Sequence, residues 1–207
     1  NEELTEAFEL SEGSFFSFLR NDNAYSKEKL KGDIETLESF YKDRGYMKFS
    51  VESTQVSLSK DYKDIFINYN LFEGDKFSIS EAQVTGDIPL EVSAYENITA
   101  SLKGQTYSQQ QITSIEEFFI NILGNQGYAF AEVNPSTEID DENNEVKITF
   151  NIDAGKRTYT RKILFAGNNT TQDYVLRREM RQFEGAWSSD NQIETGKIRL
   201  ERLGYFK

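Results

Sequence analysis

The sequence predicts an α+β chain built of tandem small modules, each with two helices packed on a three-stranded mixed sheet in the order β-α-α-β-β. Three observations carry this expectation. A Gly-Tyr pair ends a helical pattern three times, at Arg44-Gly45-Tyr46, Gln126-Gly127-Tyr128 and Leu203-Gly204-Tyr205. The interval is roughly 80 residues, too long for a solenoid repeat and suited to small domains with their own cores. After each of the first two pairs, apolar and polar residues alternate in two successive runs, the pattern of a hairpin with one buried face.

The helices come first in this argument. Leu30, Ile34, Leu37 and Tyr41 fall at helical spacing before the first Gly-Tyr, and Ile112, Ile115, Phe119 and Leu123 before the second. Ser26 and Ser108 stand as N-caps, Gln111 completes a capping box with Ser108, and Tyr25 and Tyr107 are placed to staple onto Leu30 and Ile112. A C-terminal glycine closes each helix. The strands follow at Phe49–Ser59 and Ile65–Phe72, then at Ala129–Ile139 and Val146–Ile152. Ile65, Ile67, Tyr69 and Leu71 alternate, as do Val146, Ile148, Phe150 and Ile152, so one face of each sheet packs on helices.

Each hairpin runs through Glu73-Gly74-Asp75 or Asp153-Ala154-Gly155 into a further strand, Phe77–Thr85 or Thr158–Ala166. A short helix comes next. In the last repeat it is expected over Gln172–Arg181, with Thr170-Thr171-Gln172-Asp173 as its cap signal. Ser188 or Ser189 caps the helix after it. The full order is complete once, in Phe77–Ile152.

Composition narrows function by exclusion. The 207 residues carry a net charge of −12 and a pI near 4.6, a surface that repels phosphate backbones, so no nucleic acid is expected as a partner. No run approaches the roughly 18 apolar residues of a membrane span, and no charged-then-apolar leader opens the chain, which reads as a soluble segment cut from something larger. Cysteine and histidine are both absent. That removes disulfides, thiolate and typical zinc sites, and Ser-His-Asp or Cys-His catalysis; carboxylate chemistry alone is left.

The motifs favour plain readings. The acidic run Asp140-Asp141-Glu142-Asn143-Asn144-Glu145 lacks the central glycine and ligand spacing of a calcium loop and reads as a solvated hairpin turn. Glu116 and Glu117 are adjacent on a helix and point apart, which does not suit an acid and base pair. Asn97-Ile98-Thr99 and Asn168-Asn169-Thr170 fit the glycosylation acceptor pattern. Phe118, Phe119 and Phe130 suit core and interdomain packing, while Phe15, Phe16 and Phe18 sit in a loop and divide evenly between packing and ligand capture. Arg177, Arg178, Glu179, Arg181 and Glu184 gather at a helix and its exit, either as a solvated face or as a docking surface. In Ser53-Thr54-Gln55-Val56-Ser57-Leu58, Val56 and Leu58 share one face and Gln55 and Ser57 the other, which fits either an exposed edge or core packing.

The repeat resembles the POTRA domain. Leu30-Lys31-Gly32-Asp33-Ile34-Glu35-Thr36-Leu37, Asp43-Arg44-Gly45-Tyr46, Ser53–Leu58, Leu176-Arg177-Arg178-Glu179-Met180-Arg181-Gln182 and Glu184-Gly185-Ala186-Trp187 are similar to the third, fourth and fifth POTRA domains of the BamA family of outer-membrane β-barrel assembly factors. The resemblance implies that residues 1–75 are the third domain lacking its first strand, 76–155 the whole fourth, and 156–207 the fifth lacking its closing hairpin. It implies a periplasmic, non-enzymatic scaffold, without cofactor or metal, that binds unfolded outer-membrane proteins by β-augmentation and precedes a carboxy-terminal membrane barrel. It also implies a BamB-like lipoprotein at the Ser53–Leu58 strand, with Gln55, Val56 and Leu58 in contact, and a BamD-like lipoprotein at Arg177 and Glu184. Two other functions compete: the POTRA region of a single-client transporter, and a carboxylate-dependent hydrolase. The second of these requires a pocket with two convergent carboxylates of raised pKa.

Overall fold

The computed structural model describes residues 27–60, 65–89 and 91–204. The expectations at Tyr25 and Ser26, in the Ser11–Tyr25 loop with Phe15, Phe16 and Phe18, and at Tyr205 lie outside these residues. The elements are α1 (Lys27–Lys42), β1 (Ser50–Leu58), β2 (Ile65–Phe72), β3 (Ser78–Asp87), α2 (Val92–Ala100), α3 (Gln109–Asn125), β4 (Glu132–Asp140), β5 (Glu145–Asp153), α4 (Asp173–Arg177) and α5 (Asp190–Arg202). Strands β1 and β2 form a two-stranded sheet, and the other three form a sheet in the order β3-β5-β4. Ser80 bonds to Val146 and Gln83 to Thr149, each across 66 residues, so β3 and β5 run parallel while β4 and β5 form a hairpin. The expected α+β fold with a mixed sheet is therefore observed.

The chain divides into two compact units: the described residues up to Ser80 with Gly104–Ile112 and Ile139–Lys147, and Glu81–Lys103 with Thr113–Glu138 and the described residues from Ile148 on. In the first, Leu37 and Phe49 are buried and Tyr41 stacks on Phe49 with ring centroids 4.1 Å apart. Strands β1 and β2 are antiparallel, pairing Leu58 with Ile65, Val56 with Ile67 and Thr54 with Tyr69, with an irregularity between Val51 and Ser53. Helix α1 closes as expected at Gly45 (φ +98°), where the Tyr46 amide bonds the Tyr41 carbonyl at 3.1 Å. Ser108 caps α3 as predicted, its Oγ accepting from the Gln111 amide at 3.2 Å.

In the second unit the core is aromatic. Tyr95, Phe119 and Phe150 meet edge to face at 4.9 and 5.4 Å, and Leu123, Ile148 and Ile152 are buried with them. Helix α3 ends at Gly127 (φ +97°), with the Tyr128 amide on the Leu123 carbonyl at 3.0 Å. Strand β4 starts at Glu132 rather than Ala129, because the Ala131 amide turns back onto the Tyr128 carbonyl.

Two expectations in the last repeat are corrected. Thr158–Ala166 is not a strand: it makes one isolated bridge, Tyr159 with Trp187, because among the described residues no strand lies alongside to complete a ladder. The helix expected over Gln172–Arg181 spans only Asp173–Arg177, and its N-cap is Gln172 without a side-chain cap bond, so the Thr170 signal is unused. Beyond Arg177 the chain continues in tighter turns, with the Glu179 amide on the Leu176 carbonyl and the Met180 amide on the Arg177 carbonyl. Of the two serines considered for α5, Ser189 is the cap, accepting from the Gln192 amide at 3.4 Å.

Candidate partner-binding surfaces

Strand β1 meets β2 along one side, and among the described residues no strand occupies the other. Its cross-strand register places Val56, Leu58, Ile65 and Ile67 on one face and Gln55, Ser57 and Phe66 on the other. Val56 is 42% exposed, Leu58 56% and Phe66 55%; Gln55 is exposed as well. From Ser53 to Leu58 there is no charge and no proline. Such an edge offers unblocked backbone donors and acceptors beside apolar side chains, the chemistry that an added strand needs. Sequence reasoning did not single out Ile65 and Phe66 for this patch. Their exposure depends on how far the helix layer reaches along the hairpin, which periodicity does not report.

The equivalent edge in the next repeat is different. Strand β4 also lies at the margin of its sheet, but it carries Pro135 within it and Glu138 and Asp140 toward its end. A proline removes a ladder donor and charges resist a new neighbour. The acidic turn after β4 is a turn, as expected, yet not solely solvated. Asp140 accepts from the amides of Glu142 and Asn143 and from the Asn143 side chain, bonds that hold its carboxyl below the ordinary value, and Asp141 pairs with Lys48 at 2.6 Å.

Arg177 and Glu184 are brought together. The guanidinium Nη1 donates to Glu184 Oε1 at 3.0 Å and Nη2 to the Ile163 carbonyl at 2.9 Å, while the Ile163 amide donates to the same Glu184 oxygen at 2.8 Å. Asp173, one turn back on α4, holds Arg177 through Nε. The Ile163 amide, and next the Arg177 side chain, lower the Glu184 carboxyl; the Asp173 and Glu184 bonds raise the arginine. Both side chains are about two-fifths exposed, at 41% and 39%. The pair thus clamps the Ile163 backbone and still faces outward, so these two charges are held in a fixed geometry. The Asp173-x-x-x-Arg177 spacing was readable in advance; the Ile163 contacts were not.

Beside this clamp lies a groove of about 350 Å³ lined by Ile163, Phe165, Leu176, Met180, Ile193 and Leu200. Its lining is apolar apart from Lys197 and Glu201, so no carboxylate pair converges in it. The Asp140 and Glu184 carboxyls are both lowered, the reverse of what a carboxylate general acid needs. Among the described residues no group of histidine, cysteine, aspartate or glutamate could hold a metal, and no helix is long and apolar enough to cross a membrane.

Residues 1–74, 77–155 and 158–207 match the family model described as POTRA: Surface antigen variable number repeat. The chain is similar to the outer membrane protein assembly factor BamA of Neisseria meningitidis serogroup B, with 29% identity over 98% of the chain. It is similar also to that of Buchnera aphidicola, with 31% identity over 99%. It spans 26% and 33% of those two proteins, about a quarter to a third of their length. Among solved structures, the POTRA3-5 fragment of Haemophilus influenzae BamA superimposes with a TM-score of 0.78 at 29% identity, covering all of this chain and 81% of that one. Haemophilus ducreyi BamA lacking POTRA domains 1–3 matches 63% of the chain, and the chain 25% of it, at 41% identity with a TM-score of 0.59.

Proposed function

Because this chain belongs to the POTRA family, we propose that it is the periplasmic scaffold region of an outer-membrane protein assembly factor, the name its relatives carry. On this reading residues 1–75 are a third POTRA domain without its first strand, 76–155 a complete fourth and 156–207 a fifth without its closing hairpin. The family-model matches at 1–74, 77–155 and 158–207 support that division. The scaffold binds extended β-barrel clients and recruits lipoproteins; it performs no chemistry, needs no cofactor, and works beside a membrane barrel in the full-length protein.

The observation that carries the reading is the β1 edge, uncharged from Ser53 to Leu58 and flanked by exposed Val56 and Leu58. Main-chain pairing along it is independent of the client's side chains, which suits a machine that handles many sequences. A BamB-like lipoprotein is assigned to this edge through Gln55, Val56 and Leu58, and a BamD-like lipoprotein to the Arg177–Glu184 clamp. The test is a pull-down from periplasmic and membrane extract followed by titration of the purified partners. Val56→Asp and Leu58→Asp should each weaken the first contact by about 2 kcal/mol or more, roughly 30-fold, with the melting temperature nearly unchanged. Glu184→Lys should weaken the second. Glu184→Gln keeps an oxygen to accept from the Ile163 amide and from Arg177 while removing the outward charge, so it should keep the fold and weaken docking. Wild-type affinity in every variant would overturn the proposal.

A further inference from the structure

We propose that Asp43 and Asn125 are positioning residues of one joint used twice, in which the end of one repeat's long helix caps the long helix of the next. The first turn of any helix leaves backbone N–H groups without internal partners. In α3 the capping serine serves one of them, Ser108 Oγ accepting from the Gln111 amide at 3.2 Å. The neighbouring Gln110 amide donates instead to Asp43 Oδ1 at 2.7 Å, beyond the end of α1, and that oxygen also lies 3.5 Å from the Ser108 hydroxyl that donates to it. The same arrangement recurs at α5. Ser189 Oγ accepts from the Gln192 amide at 3.4 Å, while Asn125 Oδ1, at the last residue of α3, accepts from the Asn191 amide at 2.8 Å and the Ser189 hydroxyl at 3.1 Å.

The backbone around each cap repeats as well. The Gly45 carbonyl accepts from the Phe77 amide at 2.9 Å, and the Gly127 carbonyl from the Thr158 amide at 2.7 Å. Neither glycine has room for a side chain: a β-carbon on Gly45 would stand 2.7 Å from Thr106 Cγ2, and one on Gly127 2.9 Å from Trp187 Cβ. Each joint then has its own reinforcement, the Lys48–Asp141 pair at the first and, at the second, Arg157, which bonds the Gln126 carbonyl at 2.7 Å and lies 4.7 Å over Trp187. Swinging one repeat against the next would therefore uncap a helix. Both acceptors sit two residues before the Gly of a Gly-Tyr pair. At the third pair that position is Arg202, whose guanidinium has donors only, so the end of α5 is not built to cap a helix this way. The residue type two before the glycine thus specifies whether a helix end receives a neighbour. Asp43 adds a charge that favours a helix N-terminus, which makes the first joint the salt-sensitive one.

The experiment uses the whole 207-residue chain. Spin labels at Lys31 and Glu142 bracket the first joint, and labels at Glu117 and Lys197 the second. Asp43→Ala should broaden the first distance distribution alone and Asn125→Ala the second alone, while Asp43→Asn, which keeps the acceptor, should stay as narrow as the parent. Amide exchange at Gln110 or Asn191 should accelerate on the order of tenfold in the matching alanine variant. Unbroadened distributions in both alanine variants, or an Asp43→Asn chain as broad as Asp43→Ala, would overturn the proposal. Should an alanine variant fail to fold, the parent chain still decides: Gln110 and Asn191 amides exchanging as fast as unprotected ones would also overturn it.

Discussion

Hairpins β1–β2 and β4–β5 occupy the same place in successive repeats and share an alternating pattern, yet they are buried to different depths. In β5, Val146, Ile148, Phe150 and Ile152 are at most 1% exposed. At the matching positions of β2, Ile67, Tyr69 and Leu71 are half-buried and Ile65 is exposed. The edges differ in the opposite sense: β4, over the deeper core, is guarded by Pro135, Glu138 and Asp140, whereas β1 keeps Val56 and Leu58 in view. One hairpin closes a core behind a guarded edge; the other leaves its edge unguarded, the edge we propose as a docking strand. A repeat can thus keep its fold and change its role by altering a few edge residues.

The largest effect that would test this contrast is on stability. Phe150→Ala, which empties an edge-to-face aromatic cluster, should cost about 3–5 kcal/mol in chemical denaturation. Tyr69→Ala, at the matching but half-buried position, should cost less than half as much; equal losses would erase the distinction between the hairpins. A smaller change should appear at the guarded edge. Replacing Pro135 by Thr and Glu138 by Val makes β4 resemble β1, and sedimentation velocity should then show self-association absent from the parent chain.

How much of this was legible beforehand follows from the range of each interaction. The Ser108 cap, the terminal glycines and the faces of β2 and β5 depend on residues a few positions apart, and the alternation and spacing displayed them. Thr158–Ala166 is rich in β-branched and aromatic residues, yet among the described residues it has no partner strand and forms a single bridge. Asp43 and Asn125 act on amides 67 and 66 residues away; their place before a Gly-Tyr pair is visible in the sequence, but the distant amide that each one serves is not. Val56 and Leu58 were readable as sharing a face, but whether that face is covered is a property of packing.

The smallest expected effect is local and pH-dependent. Glu184 has its carboxyl lowered from the ordinary 4.5 by the Ile163 amide and Arg177. A carboxyl lowered in the folded state contributes stability above its unfolded value, and that contribution fades as pH falls through the folded one. In an NMR titration the Ile163 amide should therefore shift with an inflection below pH 4.5, and in Glu184→Gln the inflection should vanish.

The parallel pairing of β3 with β5 bears on how the chain reaches its fold. Their contacts join residues 66 apart, whereas β1 and β2, like β4 and β5, are separated by only a few residues of sequence. Closing a long loop must precede any reward from such contacts, so local hairpins and helices are free to form within microseconds while the central strand waits for β3. Until it docks, the alternating apolar face of β5 is itself an extended segment in search of a partner. A nascent repeat then passes briefly through the condition of the chains it is proposed to handle.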